Sequence, residues 1–213
     1  MLISKGCNVD IQSKVGKTAL IWAASNGHME VCEMLISKGC NIDIQDTVCG
    51  NTALIWAARN DHKGICEVLI SKGCNIDIQD TLHGNTALIW AALHGYKEIC
   101  EMLIAKGCNI DIQSNICDTA LIWAARNDHK GICEVLISKG CNVDIQDTLY
   151  GNTALIHTAK NGNIITSIML IEAGCDYSLK NKNGKSAMDE LKERNPGQVR
   201  ELQVIPLLLF TAY

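Results

Sequence analysis

Twelve cysteines among 213 residues are the side chains here best able to do chemistry. Thiolates are nucleophiles and metal ligands, and neighbouring thiols can form disulfides. The spacing favours neither metal nor disulfide. Zinc asks for ligands in close pairs, and Cys-x-x-Cys occurs nowhere. Cys7, Cys40, Cys74, Cys108, Cys141 and Cys175 each follow a glycine, and Cys32, Cys66, Cys100 and Cys133 recur in step with them. Equivalent positions on successively packed helices lie about 8 to 10 Å apart, beyond the roughly 7 Å Cα reach of a disulfide. Small, regular slots suit a free thiol acting as a compact apolar group. Many unpaired thiols imply a reducing compartment, cytosol or nucleus. Cys49 and Cys117 stand outside the register, in predicted loops, and are expected to be the most reactive.

No other constellation suggests catalysis. The chain has no phosphate-cradling glycine loop, nucleophile elbow or metal-spaced His-Glu motif. Asp10, Asp43, Asp77, Asp111 and Asp144 form a periodic ladder, expected to bond locally to backbone amides. We assign no catalytic residue, no metal and no cofactor. A formal charge of -4 with dispersed lysines lacks the basic stripe that neutralises phosphates, which argues against nucleic acid. Hydrophobic residues make up 47% of the chain but never run to the roughly 18 needed for a membrane span. The longest apolar stretch, Val204 to Phe210, is broken by Pro206 and reads as a packing tail. Met1 to Cys7 already belongs to the repeat pattern rather than to a secretory leader.

These residues sit on a periodic frame. TALIWAA begins at Thr18, Thr52, Thr86 and Thr119, and TALIHTA at Thr153. The Gly-Cys pairs at Gly6, Gly39, Gly73, Gly107, Gly140 and Gly174 are separated by 33, 34, 34, 33 and 34 residues. Such self-similarity marks units that cannot bury their own apolar faces and must stack. Thr52 to Ile89 matches Thr119 to Ile156 except for Ile76 against Val143 and His83 against Tyr150, the trace of a duplicated two-repeat block. In the unit Gln79 to Cys108, turn formers cluster over Asp80 to Asn85. Thr86 is placed to cap a short helix whose Leu88, Ala91 and Ala92 share one face. A second helix is predicted from Lys97 to about Lys106, ended by Gly107 in left-handed geometry.

Gly-x-Thr-Ala-Leu, Ala-Ala, Gly-His, a Leu-Ile pair and Gly-Cys-Asn-Ile-Asp together resemble the ankyrin repeat. The resemblance implies an all-α, ankyrin-repeat solenoid of helix-turn-helix units joined by β-hairpin loops. It covers nearly the whole chain as one domain. A partial repeat spans 1–12, full repeats span 13–45, 46–79, 80–113, 114–146 and 147–180, a capping repeat spans 181–204, and an apolar tail covers 205–213. His28, His62 and His129 occupy the family's Gly-His slot and are expected to cap or brace the second helix. The chain departs from the family where Thr-Pro-Leu-His is usual. Ala19 and its equivalents replace the proline, and Ile21, Ile55, Ile89, Ile122 and Ile156 replace the histidine, so a polar brace becomes apolar packing. Asp61 and Asp128 stand where the inter-helix glycine is expected, and Gly64 and Gly131 weaken the second helices, each by up to about 1 kcal/mol.

The resemblance implies a non-enzymatic scaffold that binds another protein on a concave face of hairpin tips and inner helices. Trp22, Trp56, Trp90 and Trp123 fall about 200° around the helix from the core leucine. Each shares an edge with positions three and four residues on, among them Arg59, Asn60, His94, Arg126 and Asn127. Trp and Arg dominate interface energetics, although the indoles could equally seal one repeat against the next. His157 breaks the tryptophan series, so a groove is expected to end there. The loop tips vary most between copies: Lys14, Val15 and Lys17; Val48, Cys49 and Asn51; Leu82, His83 and Asn85; Asn115, Ile116 and Asp118; Leu149, Tyr150 and Asn152. Because Met1 to Gly6 matches the end of a second helix, self-association through an uncapped N-terminal end is also expected. The alternative function is a self-assembling array, or a targeting fragment of a larger multidomain protein.

Overall fold

A computed structural model describes residues 8–194 and 196–198. The start of the partial repeat and the apolar tail 205–213 therefore lie outside the described residues. The chain divides into two compact units, Met1–Asn109 and Ile110–Tyr213, with the boundary inside the segment expected as repeat 80–113.

Unit 1 contains α1 (Ala19–Ser25), α2 (Met29–Ser37), α3 (Ala53–Arg59), α4 (Lys63–Ser71), α5 (Ala87–His94) and α6 (Lys97–Ala105). Unit 2 contains α7 (Ala120–Arg126), α8 (Lys130–Ser138), α9 (Ala154–Asn161), α10 (Ile164–Glu172) and α11 (Ala187–Arg194), then a 3-10 turn at Pro196–Gln198. In unit 1 the inner helices α1, α3 and α5 stack in order, each packed against its outer partner α2, α4 or α6. Unit 2 repeats this with α7, α9 and α11 stacked, α8 on α7 and α10 on α9.

Helices of seven to nine residues are too short to persist alone in water. Two local devices and one packed face hold them. Thr18, Thr52, Thr86, Thr119 and Thr153 are N-caps whose hydroxyls accept from the amides of Ile21, Ile55, Ile89, Ile122 and Ile156 at 3.2 to 3.3 Å. The turn between helices needs a left-handed residue, and Asp61 (φ 59°) and Asp128 (φ 57°) supply it, as expected from aspartate's tolerance of that region. The packed face is Leu20, Ile21, Ala23 and Ala24 in α1 and its equivalents, all buried. Fully burying an isoleucine contributes about 2 kcal/mol, which is how the replaced histidine brace becomes core. His28, His62 and His129 hold the N-cap positions of α2, α4 and α8, but their side chains make no capping bond.

Two expectations are corrected here. The loops contain no strand among the described residues. They close as turns, with Asp46 N donating to Asn51 O and Gly50 N to Asp46 O, and touch the next loop through a few bonds such as Thr81 N to Cys49 O at 2.8 Å. That close approach demands glycine: a Cβ on Gly50 (φ 72°) would fall 2.6 Å from Thr81 N. The aspartate ladder, in turn, is not local. Asp10, Asp43 and Asp77 accept from the amides of Asn41, Asn75 and Asn109, one repeat onward, at 2.9 to 3.0 Å. Asp111 and Asp144 do the same for Asn142 and Asp176 in unit 2.

The regular cysteines fill the apolar slots. Cys32, Cys66, Cys100 and Cys133 are fully buried, and Cys40, Cys74, Cys108, Cys141 and Cys175 nearly so. Burial pushes the Cys66, Cys100 and Cys133 thiols up to about 12, which leaves almost no thiolate at neutral pH. Cys49 and Cys117 are less buried, and Cys117 has φ 57° at the turn position that Gly16 fills with φ 71°.

Candidate functional site

The exposed edge of each inner helix is built from its loop. In the longer loops an aspartate organises the turn with one oxygen and holds an aromatic ring with the other. Asp46 Oδ1 accepts from the amides of Val48, Cys49 and Gly50 at 3.1, 2.8 and 3.2 Å, while Oδ2 accepts from Trp56 Nε1 at 2.8 Å. Asp80 does likewise, accepting from His83 N at 2.6 Å and from Trp90 Nε1 at 2.8 Å. In unit 2, Asp147 accepts from Tyr150 N at 2.5 Å and its Oδ2 lies 2.8 Å from His157 Nε2. His157 thus takes the indole's place on the equivalent carboxylate. Burial lowers its pKa, with the bond to Asp147 acting in the opposite sense.

The shorter loops have serine, Ser13 or Ser114, where the others have aspartate, and the indole loses its acceptor. Trp22 is 48% exposed, and Trp123 Nε1 is buried without a partner. Arg126 reaches instead to the buried Asp118, Nη1 donating to Oδ2 at 3.3 Å. Burial raises the Asp118 carboxyl to about 6, Arg126 pulling it down and Asp147 adding to the rise.

Cations sit against these rings. In unit 1, Lys17 Nζ lies 4.5 Å from the Trp22 ring centre and 3.8 Å from that of Trp56. Arg59 Cζ lies 5.4 Å from Trp56 and 4.4 Å from Trp90. Indoles and cations thus alternate across three repeats, an arrangement worth about 0.5 to 2 kcal/mol per contact. His83 meets Trp90 edge-on, and His94 stacks between Trp90 and Tyr96. In unit 2, Arg126 covers Trp123 at 4.8 Å and Lys160 covers Tyr150 at 5.5 Å.

The sequence-predicted site residues divide accordingly. Val48, Leu82, His83, Ile116, Leu149 and Tyr150 are exposed at the tips, with Val48 at 62% and Leu82 at 56%. Asn51, Asn85, Asp118 and Asn152 are not tip residues. They are buried beneath the turn, directly before the capping threonine, where a partner could not reach them. Trp90, at 6% exposure, is likewise core, and Trp56 and Trp123 are half-buried. Arg59 and Arg126 lie against rings, while Asn60 and Asn127 are exposed at helix ends. The Asn60 amide donates to Ser25 O of the neighbouring inner helix at 2.9 Å, and the Asn127 amide to Trp123 O. His94 is exposed, its Nδ1 2.9 Å from Trp90 O. Sequence reasoning missed the Asp46, Asp80 and Asp147 clamps, although a signal existed: each stands ten residues before a Trp or His.

Among the described residues no group of three or more His, Cys, Asp or Glu could hold a metal, and no helix is long and apolar enough to cross a membrane. No curated protein matches the chain. The family model for ankyrin repeats matches three times, over residues 1–80, 38–115 and 121–191, and such domains generally serve as protein-interaction modules. With its paired helices, capping threonines and stacked inner helices, the chain belongs to the ankyrin repeat family.

Proposed function

We propose that this chain is a non-enzymatic scaffold that binds another protein along its turn tips and the exposed edge of its inner helices. One observation carries the reading: the most advanced tip positions hold large apolar side chains in solvent. Val15, Val48 and Leu82 do so in unit 1, and Ile116, Leu149 and Tyr150 in unit 2. Soluble surfaces expose single apolar residues freely, but a periodic row beside cation-covered rings has the composition of an interface centre. The rigid frame beneath, with the turns at Asp46, Asp80 and Asp147 bonded to their own aspartates, lowers the ordering cost of association. The described cysteines, all free thiols, fit a reducing compartment.

The test is the double variant Val48→Asp with Leu82→Asp. Both side chains stand in water, so the urea midpoint should stay within the ±0.5 kcal/mol expected of surface changes. Proteins captured by the parent chain should be lost, each anchor being worth about 2 kcal/mol or more. Retention of the same captured proteins by the folded double variant would reject the tips as the binding surface.

A further inference from the structure

The charge of the strip identifies the class of partner. The turn tips and inner helices of unit 1, residues 13–26, 46–60 and 80–94, contain three full cations, Lys14, Lys17 and Arg59, and two exposed histidines, His83 and His94. Their only acids are Asp46 and Asp80. Both are buried, with their oxygens taken by loop amides and indole N–H groups. Every full charge that this strip presents to water is therefore positive, in a chain whose formal charge is -4. The outer helices of the same unit expose Glu30, Glu33, Glu67, Glu98 and Glu101 together with lysines, so the single sign is peculiar to the inner strip.

The backbone and the pitch constrain the partner's shape. The tips offer no sheet edge for strand addition, because no strand is present there and the amides of the second and third tips bond to Asp46, Asp80 or the neighbouring loop. Packed inner helices recur at about 8 to 10 Å, so the equivalent tip residues Val48 and Leu82 recur at about that pitch. A polyproline-type chain has three residues per turn and rises about 3.1 Å per residue, so every third side chain points the same way at about 9 Å. A β-strand turns every third side chain to the opposite face.

Resting on the tip-binding reading above, we infer that unit 1 takes an extended acidic peptide, with apolar side chains three residues apart meeting Val48 and Leu82 and carboxylates beside them reaching Lys17 and Arg59. Aromatic and basic grooves can also hold single-stranded nucleic acid by base stacking. Here the indoles already carry Lys17 and Arg59 over their rings and Trp90 is buried, which favours the peptide.

The experiment is selection of a random short-peptide display library on the full chain, followed by anisotropy titration of the labelled winners. The expected winners are rich in Asp and Glu with apolar residues three apart. Their affinity should fall about tenfold or more on Lys17→Glu with Arg59→Glu, and again as salt rises from about 50 to about 500 mM. If that pair unfolds by circular dichroism, Lys14→Glu, which touches no ring, replaces it with a smaller loss expected in the same direction. Winners that are neutral or basic, winners spaced as strands or helices, or the absence of winners would overturn the acidic-peptide class. So would an oligo-dT strand that competes at the same residues. Winners indifferent to Val48→Asp with Leu82→Asp would instead count against the tip surface itself, so the two failures are distinguishable.

Discussion

The carboxylate ten residues before an indole makes that ring a structural element instead of a free binding group. Trp56→Phe would leave Asp46 Oδ2 buried one donor short, and an unsatisfied buried acceptor costs about 1 to 3 kcal/mol. Trp123→Phe deletes an N–H that is already buried without a partner, so its cost should be smaller. Urea midpoints of the two variants check this, and equal losses would contradict the clamp. Asp118 provides the second residue-level test. Its folded pKa, about 6, lies above the ordinary value of 3.8, so the folded chain holds the extra proton between the two. Its contribution is neutral below about pH 4 and grows unfavourable as pH rises to about 6. Asp118→Asn keeps an acceptor for Arg126 and removes that slope, so its stability relative to the parent should improve from pH 4 to pH 7. His157, whose pKa is lowered, acts in the opposite sense, which is why the difference between variant and parent is the quantity to measure. The Trp series was visible in sequence; which indoles were occupied was not, because the deciding aspartates belong to loops whose turn geometry a periodic pattern does not specify.

At the scale of elements, the helices were legible because each repeat carries its own cap, its own apolar face and its own left-handed stop. Thr52, the pair Ala57 and Ala58, and Gly73 (φ 81°) act within one repeat, so local rules reach them. The aspartate ladder was visible but misassigned as local, since its acceptors serve amides 31 or 32 residues away. Asp43→Ala should therefore loosen the junction between repeats without melting either helix. Amide exchange at Asn75 should speed up, with a global loss of about 1 kcal/mol. An unchanged Asn75 rate would remove the ladder from the ties between repeats.

For the molecule as a whole, the sequence by itself determined the period, the helix pairs, the buried Leu, Ile, Ala and Cys positions and the family, because each follows from patterns repeated inside a single unit. Only the tertiary structure decided which candidate residues face solvent. Asn51, Asn85, Asp118 and Asn152 share the variable loops with Val48, Leu82, Ile116 and Leu149, yet the turn folds the first group under itself and pushes the second into water. The division into two compact units was equally invisible, since near-identical repeats give no compositional break at the boundary. Burial at a loop and contact between repeats depend on where neighbouring backbone falls, and that is fixed only when the copies stack.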